Sequence, residues 1–305
     1  GITYNVYADP QGMDRPWEVD PLPLLLSAQE WQAIEEGVTQ RAELLNRVLA
    51  DIYGPQELLK SGAVPPAVVF GHSGYLSPAQ GIRPPGGRHL FHYAADLARS
   101  PDGRWWVVSD RTQAPSGAGY ALENRLVVSR VFPQMFRELR VQHLASFFAA
   151  LRESLLRWAP RGGPGDATPL VALLTPGPFN ETYFEHALLA RYLGVALVEG
   201  SDLTVREGCV WMKTVEGLKR VHALLRRQDD DYCDPLELRS DSALGVAGLT
   251  ECARRGTILI ANSLGSGVLE SGALLGYLPR LSEQLLGEPL KLPSVATWWL
   301  GEPAA

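Results

Sequence analysis

The chain has few of the residues that mark metal ribbons, disulfide scaffolds, nucleic-acid binders and membrane spans. Its three cysteines, Cys209, Cys233 and Cys252, are far apart. They form no CxxC pair and no even-numbered framework, which excludes a zinc ribbon and a disulfide-stapled domain. A reducing, cytoplasmic setting is the default for such a chain. Lysine occurs only at 60, 213, 219 and 291. Net charge is 28 − 34 = −6, the wrong sign for a broad nucleic-acid-binding face. No apolar run approaches the roughly 20 residues of a membrane-spanning helix. No signal peptide and no internal repeat is visible. The chain opens abruptly on Gly1-Ile2-Thr3-Tyr4, already strand-like, which is the expectation for a piece of a longer protein.

What is present is the composition of a globular protein, 46 % hydrophobic and 20 % charged over 305 residues, enough for one large domain or two ordinary ones. The scarce lysine leaves arginine as the main cation, and arginine suits bidentate recognition of carboxylates and phosphates. Ser27 with Glu30 three positions on is a capping box, so a long helix is expected from Ala28 to about Tyr53. Its apolar face carries Trp31, Ile34, Val38, Leu44, Leu45, Val48, Leu49 and Ile52. A short helical turn is expected at 57–62 and short strands at 68–70 and 126–131. Helices are expected at 133–159, 181–193 and 248–255, with buried strands at 170–174, 195–199, 221–225 and 257–261 and a β-hairpin over 203–214. Pro160–Pro169 reads as a linker. The expected division is therefore 1–165 and 166–305. Strand–helix alternation makes the second part an α/β, doubly wound, Rossmann-like sheet, in a chain that is α+β overall.

The stretch His89–Arg130 carries the densest chemistry. An apolar strand ends near Asp96, a Ser-Pro-Asp-Gly turn spans 100–103, and a second strand covers Arg104–Ser109, which is a hairpin signature. Asp96 and Asp110 lie at corresponding strand ends, with Arg99 and Arg111 nearby. A Gly-rich bend at 115–119 leads to Glu123 and Asn124. Carboxylates and an amide among arginines suit a hard cation holding a phosphate; a solvated surface hairpin is the equally open alternative.

Loops at the carboxyl ends of buried strands are the usual ligand sites of open α/β sheets. Thr175, Asn180 and Glu181, then Glu185 and His186 on the following helix, make the first candidate set, with ordinary capping as its bland alternative. Glu199, Ser201 and Asp202 follow the next strand, Arg226 and Arg227 the one after, and Asn262 and Ser266 the last. Asp229–Asp231 is a solvated charge run, because the sixth and twelfth positions of a calcium loop would fall on Asp234 and Ser240. Gly71-His72-Ser73-Gly74 fails as a nucleophile elbow, since Tyr75 stands where a glycine is required.

Together these segments resemble one family. YNVY at 4–7, RPWEVDPLP at 15–23, QRAELLNRVLADIYGPQ at 40–56, AADLARSPDGRWWVVSDRTQAPSGAGYALENR, LLTPGPFNETYFEHALLARYLG, VEGSDLTV, LLRRQDDDYCDPLELRSDSALG and NSLGSGVLES look like the circularly permuted type-two ATP-grasp proteins, relatives of glutathionylspermidine synthase. The resemblance covers nearly the whole chain. It implies an ATP-grasp-like portion followed by a Rossmann-like (pre-ATP-grasp) domain, and an ATP-dependent carboxylate–amine ligase that works through an acyl phosphate with Mg²⁺. By the same resemblance Asp96, Asp110, Glu123 and Asn124 would hold Mg²⁺ and nucleotide, and Arg99 and Arg111 would face the transferring phosphate. The strand-end loops would hold the acid or amine. The implied partners are small-molecule or peptide acid and amine substrates, with no nucleic acid and no membrane.

One departure counts. The family continues beyond a Trp-Trp-x-Gly segment like Trp298–Gly301 into nucleotide-clamping lysines, whereas this chain stops at Ala305. A catalytically impaired homologue that holds a peptide or protein partner is therefore the competing expectation.

Overall fold

The structure, a computed structural model, describes residues 3–5, 14–18, 20, 22–162 and 168–302. Two short strands, β1 (Thr3–Asn5) and β2 (Asp14–Pro16), pair antiparallel at the start. Helices α1 (Ala28–Ile52), α2 (Glu57–Lys60) and α3 (Pro66–Phe70) follow. The hairpin is β3 (Ala94–Arg99) and β4 (Trp105–Arg111), then come α4 (Ala118–Val131), α5 (Pro133–Glu138) and α6 (Ala145–Trp158). Beyond lie β5 (Val171–Leu174), α7 (Tyr183–Leu193), β6 (Ala196–Val198), β7 (Leu203–Arg206), β8 (Cys209–Thr214), β9 (Gly217–Val221) and β10 (Ala223–Arg226). The chain closes with α8 (Leu249–Arg254), β11 (Leu259–Ala261), α9 (Gly272–Leu275) and α10 (Leu278–Leu286).

The organising element is a four-stranded parallel sheet in the order β11-β10-β5-β6. Successive side chains of a strand point to opposite faces, and both faces are buried. Val171, Leu173, Ala223, Leu225, Leu259 and Ala261 pack on one side against Leu122 of α4, Phe148, Leu151 and Leu155 of α6, and Leu189 and Leu193 of α7. Ala172, Leu174, Leu224 and Ile260 pack on the other against Leu44, Leu45, Val48, Leu49 and Ile52 of α1, Leu249 and Cys252 of α8, and Leu281 of α10. This three-layer order explains the unbroken apolar strands, since a parallel sheet covered on both faces has no polar side. Both core clusters draw on residues from either side of position 165, so that position does not separate two cores; residues 163–167 of the expected linker lie outside the described residues.

The capping box of α1 forms as expected, Glu30 N–H donating to Ser27 Oγ at 3.2 Å and Ser27 N–H to Glu30 Oε2 at 3.2 Å. Leu44, Leu45 and Leu49 are fully buried, and truncating any of them to alanine costs about 2–5 kcal/mol. Trp31, expected on this face, is 45 % exposed. The expected strands at 68–70 and 126–131 are helical. Their β-branched runs satisfy strand propensity locally, but among the described residues neither pairs with a strand, and Val68 and Val69 are buried in the core shared with α1. The 203–214 hairpin gains a third strand, β9, in an antiparallel sheet β7-β8-β9.

Candidate functional site

In the β3–β4 hairpin Asp96 lies opposite Ser109, and Ala95 lies opposite Asp110. Opposed residues share a face and neighbours alternate. Asp96 and Asp110 are thus level along the strands but project from opposite faces, and the expected convergence does not occur. Asp96 accepts from the Ser109 hydroxyl and from Arg111, with Nε at 3.0 Å and Nη2 at 2.9 Å. Arg111, followed by Ser109, holds its carboxyl below the usual range. Asp110 is buried and faces α1. Arg41 Nε donates to its Oδ1 at 2.7 Å and Nη2 to its Oδ2 at 2.8 Å, while Tyr93 O–H donates to Oδ1 at 2.6 Å. Burial opposes the charge on Arg41, yet the hydrogen bonds and charge of Asp110 raise its pKa. Asp110 therefore locks the hairpin onto α1.

The expected phosphate-facing arginines are separated as well. Arg111 pairs with Ala94 at one end of the ladder and Arg99 with Trp105 at the other, about 17 Å apart at the strand rise. Arg99 pairs with Glu30 at 3.0 Å. Asn124 Oδ1 accepts from Trp17 Nε1 at 2.6 Å, and Glu123 sits half-buried on α4. Among the described residues no three His, Cys, Asp or Glu side chains come together to hold a metal ion. Asp96, Asp110, Glu123 and Asn124 consequently do not fit Mg²⁺ as a set.

The carboxyl edge of the parallel sheet is different. There the expected residues do meet, through reciprocal latches in which acids take backbone N–H groups and arginines take carbonyls. Glu185 Oε1 accepts from Gly117 N (2.8 Å) and Gly119 N (2.7 Å). Glu270 Oε1 accepts from Thr112 N and Gln113 N, both at 2.7 Å. Asp230 Oδ2 accepts from Gly265 N at 2.9 Å. Arg226 donates to Gln228 O (2.6 Å), Gln113 O (2.9 Å), Asn262 O (3.3 Å) and Ser266 Oγ (3.2 Å). Arg227 Nη1 donates to Pro115 O at 2.6 Å. Asn262 Oδ1 accepts from Phe91 N and His92 N, and its Nδ2 donates to His92 O and Thr112 O at 2.6 Å each.

These latches revise the sequence reading in two ways. The Gly-rich bends at 115–119 and 262–267 carry the protein's own carboxylates on their amides. Arg226 is 1 % exposed and its donors are engaged internally, so it holds loops together and does not face a substrate. Burial raises the Asp230 carboxyl above its ordinary pKa against the pull of Arg226.

His186 has a structural assignment too. Thr182 O–H donates to Asn180 Oδ1 at 2.6 Å, so its oxygen accepts from His186 Nε2–H at 3.0 Å. Thr175 O–H then donates to His186 Nδ1 at 2.9 Å and accepts from Gly177 N at 3.2 Å. The ring is a neutral spacer fixing the 175–182 loop. Burial, then the charge of Arg227, push its pKa down to about 3, far below a working general base near neutrality. Asn180 caps the α7 entry through Thr182 N at 2.9 Å.

The side chains left facing outward at this edge are mostly carboxylates. Glu199 lies beside Gly177, whose Cβ would stand 3.3 Å from its Oε1. Glu199 and Asp202 cap the turn at 200–202 reciprocally, and Ser201 O accepts from Lys213 Nζ at 2.7 Å. Exposed Asp229 is held above its ordinary pKa by desolvation, and by the negative charges of Asp231, Glu270 and Glu181 against the pull of Arg226. Sequence reasoning missed Arg41, Tyr93, His92 and Glu270, and it read Asp230, which is buried and holds Gly265 N, as part of a solvated run.

Comparison with known proteins places this architecture. The family model for circularly permuted ATP-grasp type 2 proteins matches residues 23–305. The chain belongs to that family. An uncharacterized Mycobacterium tuberculosis protein is 48 % identical over 286 residues, covering 94 % of this chain and 32 % of the relative. An uncharacterized Synechocystis protein is 43 % identical over 298 residues, covering 98 % and 61 %. The chain thus spans between about a third and three-fifths of the length of these relatives. A solved glutathione synthetase-like effector from Globodera pallida, in its apo form, has a TM-score of 0.56 at 13 % identity, covering 93 % of this chain and 64 % of that one. That likeness supports the ATP-grasp-like fold. Among the described residues no helix is long and apolar enough to cross a membrane.

Proposed function

We propose that this chain forms the substrate-binding part of an ATP-dependent carboxylate–amine ligase, with the Rossmann-like parallel sheet as its platform. In the proposed reaction a substrate carboxylate oxygen attacks the γ-phosphorus of ATP and ADP leaves. An amine nitrogen then displaces phosphate from the acyl phosphate, losing a proton as the amide forms. Asp96, Asp110, Glu123 and Asn124 do not supply a magnesium site, so the work assigned to this chain is binding and orientation.

One observation carries the reading. The exits of β5, β6, β10 and β11 open on a single edge, where loops are fixed by internal latches and carboxylates face outward. Pre-fixed loops at strand ends are the usual setting for ligands in open α/β sheets, and effective positioning requires loops that do not reorganise. Glu181, Asp229 and Glu270 suit the cationic amine better than the acid. A cytoplasmic setting accompanies this reading.

A second reading, a catalytically impaired scaffold for a peptide or protein, is favoured by the internal use of both Gly-rich bends. An ADP-release screen over pools of amino acids, small peptides and polyamines, run on this chain and on a longer native form, separates the two. Release that needs both an acid and an amine is the expected result. Silence in both forms, with no calorimetric heat from millimolar ATP, would instead favour the scaffold.

A further inference from the structure

Leu122 on α4 and Phe148 on α6 are buried, but between them no residue from Glu123 to Phe147 is. This stretch holds the second half of α4 and all of α5. It closes on itself. Arg125 Nη1 donates to Gln142 O at 2.7 Å, the Arg125 guanidinium lies 6.0 Å from the centre of the Phe136 ring, and Val141 N donates to Phe136 O at 3.1 Å. Among the described residues, no hydrogen bond or ion pair ties 126–144 to an element other than α4, α5 and α6. Helices this short are marginal in water, and in proteins they draw most of their stability from packing an apolar face.

That face exists and is uncovered. Val128 and Val131 are three residues apart on α4, and Phe132, Met135, Phe136 and Leu139 follow along α5 at i, i+3, i+4 and i+7, the spacing of one helical stripe. Val131 is 61 % and Leu139 50 % exposed, and the other four are half-buried. Apolar side chains exposed singly are ordinary, whereas a run of them over two helices marks an interaction surface. The local charge is opposite to that of the chain. Residues 123–147 carry Arg125, Arg130, Arg137 and Arg140 against Glu123 and Glu138, 4 − 2 = +2, which leaves −6 − 2 = −8 for the remainder. Arg130, Arg137 and Arg140 are exposed and, among the described residues, take part in no ion pair.

Shape and charge together select the occupant. A helical apolar stripe is covered most fully by a second helix with a stripe of its own, and arginines at its border select carboxylates. Two copies meeting arm to arm would oppose like charges. An anionic lipid surface would attract the arm but repel the −8 of the remainder. We propose that the α4–α5 arm is a docking surface for an acidic amphipathic helix of a partner polypeptide. The partner's apolar residues seat on the stripe from Val128 to Leu139, and its carboxylates pair with Arg130, Arg137 and Arg140. The proposal stands whether or not the sheet edge holds an amine.

A dye-labelled synthetic helical peptide tests it, with leucine at i, i+3, i+4 and i+7 and glutamate along the border, titrated beside the same peptide carrying lysine for each glutamate. The glutamate peptide is expected to bind at least about tenfold more tightly, to weaken as salt is added, and to slow amide exchange within 126–144. The variant Arg130→Glu/Arg137→Glu/Arg140→Glu, with an unchanged melting temperature, should reverse the preference. Val131→Ser/Leu139→Ser should weaken both peptides. Equal binding of the two peptides, binding of neither, or binding without protection of 126–144 would overturn the proposal. Protection of 126–144 by rising chain concentration alone, or by phosphatidylserine vesicles, would overturn it too, assigning the surface to a second copy or to a membrane.

Discussion

Asp96 and Asp110 stand one register position apart on paired strands and point to opposite sides of the hairpin. The consequence is an asymmetry in what each carboxylate does. Asp110 neutralises fully buried Arg41, whereas Asp96 pairs with Arg111 at the surface. Removing one partner of a buried pair leaves an uncompensated charge, so Asp110→Asn should cost about 3–5 kcal/mol in denaturant unfolding. Asp96→Asn should cost about 0–1 kcal/mol. Equal losses would contradict the assignment of Asp110 to the core.

The latch on the Gly-rich bend gives a local prediction. Glu185→Ala removes the acceptor of two amides and strands Arg227 in the interior. Unfolding should become about 3–5 kcal/mol easier, and the Gly117 and Gly119 amides should lose hydrogen-exchange protection ahead of the strands of the parallel sheet.

Acid sensitivity follows from three histidines buried as neutral rings. Desolvation lowers His89 to about 4, and desolvation with Arg227 lowers His92 and His186 to about 3. The unfolded chain protonates them near 6.5, so below that pH it binds more protons than the folded chain does. Their contribution is fully present above about 6.5 and is lost as pH falls toward 4, by about 1.4 kcal/mol per pH unit for each ring. Asp230, raised by burial, acts in the opposite sense, losing stability as pH rises above its unfolded pKa, and so partly offsets the histidines low in this window. Replacing His186 with glutamine should reduce the slope by about one proton. An unchanged slope would mean that its ring is already charged in the folded state.

Much of the fold was readable because local signals agreed with the tertiary outcome. The Ser27–Glu30 capping box, the Ser-Pro-Asp-Gly turn and the apolar runs around 173, 224 and 260 each correspond to an observed element. The Leu126–Val131 run misled because its β-branched residues favour strands, whereas it continues α4, which is anchored by Gly119 and Leu122 while Leu126 and Val131 stay exposed. The facing of Asp96 and Asp110 was hidden for a different reason. Parity along a strand is lost at the irregularity between Asp96 and Leu97, which a turn signal does not reveal. Arg41 did leave a trace: it sits three, four and seven residues before Leu44, Leu45 and Val48, on the apolar stripe of α1, where an arginine needs a buried counter-charge. Glu270 and Asp230 left none, because the amides they hold are long-range.

Tight packing in the loop after β11 offers a further check. Gly265 has φ +84°, and a Cβ there would lie 2.1 Å from Tyr53 Oη. That hydroxyl donates to Gly265 O at 3.0 Å and accepts from Leu76 N at 3.1 Å. Gly265→Ala should be destabilising by more than about 1 kcal/mol through φ alone, with the clash adding to it. Tyr53→Phe, which keeps the ring, should cost about 1–3 kcal/mol through unpaired groups. Thermal unfolding of both variants decides it.

In the proposed function the carboxyl edge of the parallel sheet holds the amine substrate of a ligase. The most direct measurement is amine-dependent ADP release by the longest native form containing this chain, comparing wild type with the Glu181→Gln/Asp229→Asn double variant. The account predicts a KM for the amine raised at least about tenfold, equivalent to about 1.4 kcal/mol of lost binding, with an unchanged melting temperature. An unaltered KM in a fully active, equally stable variant would contradict it.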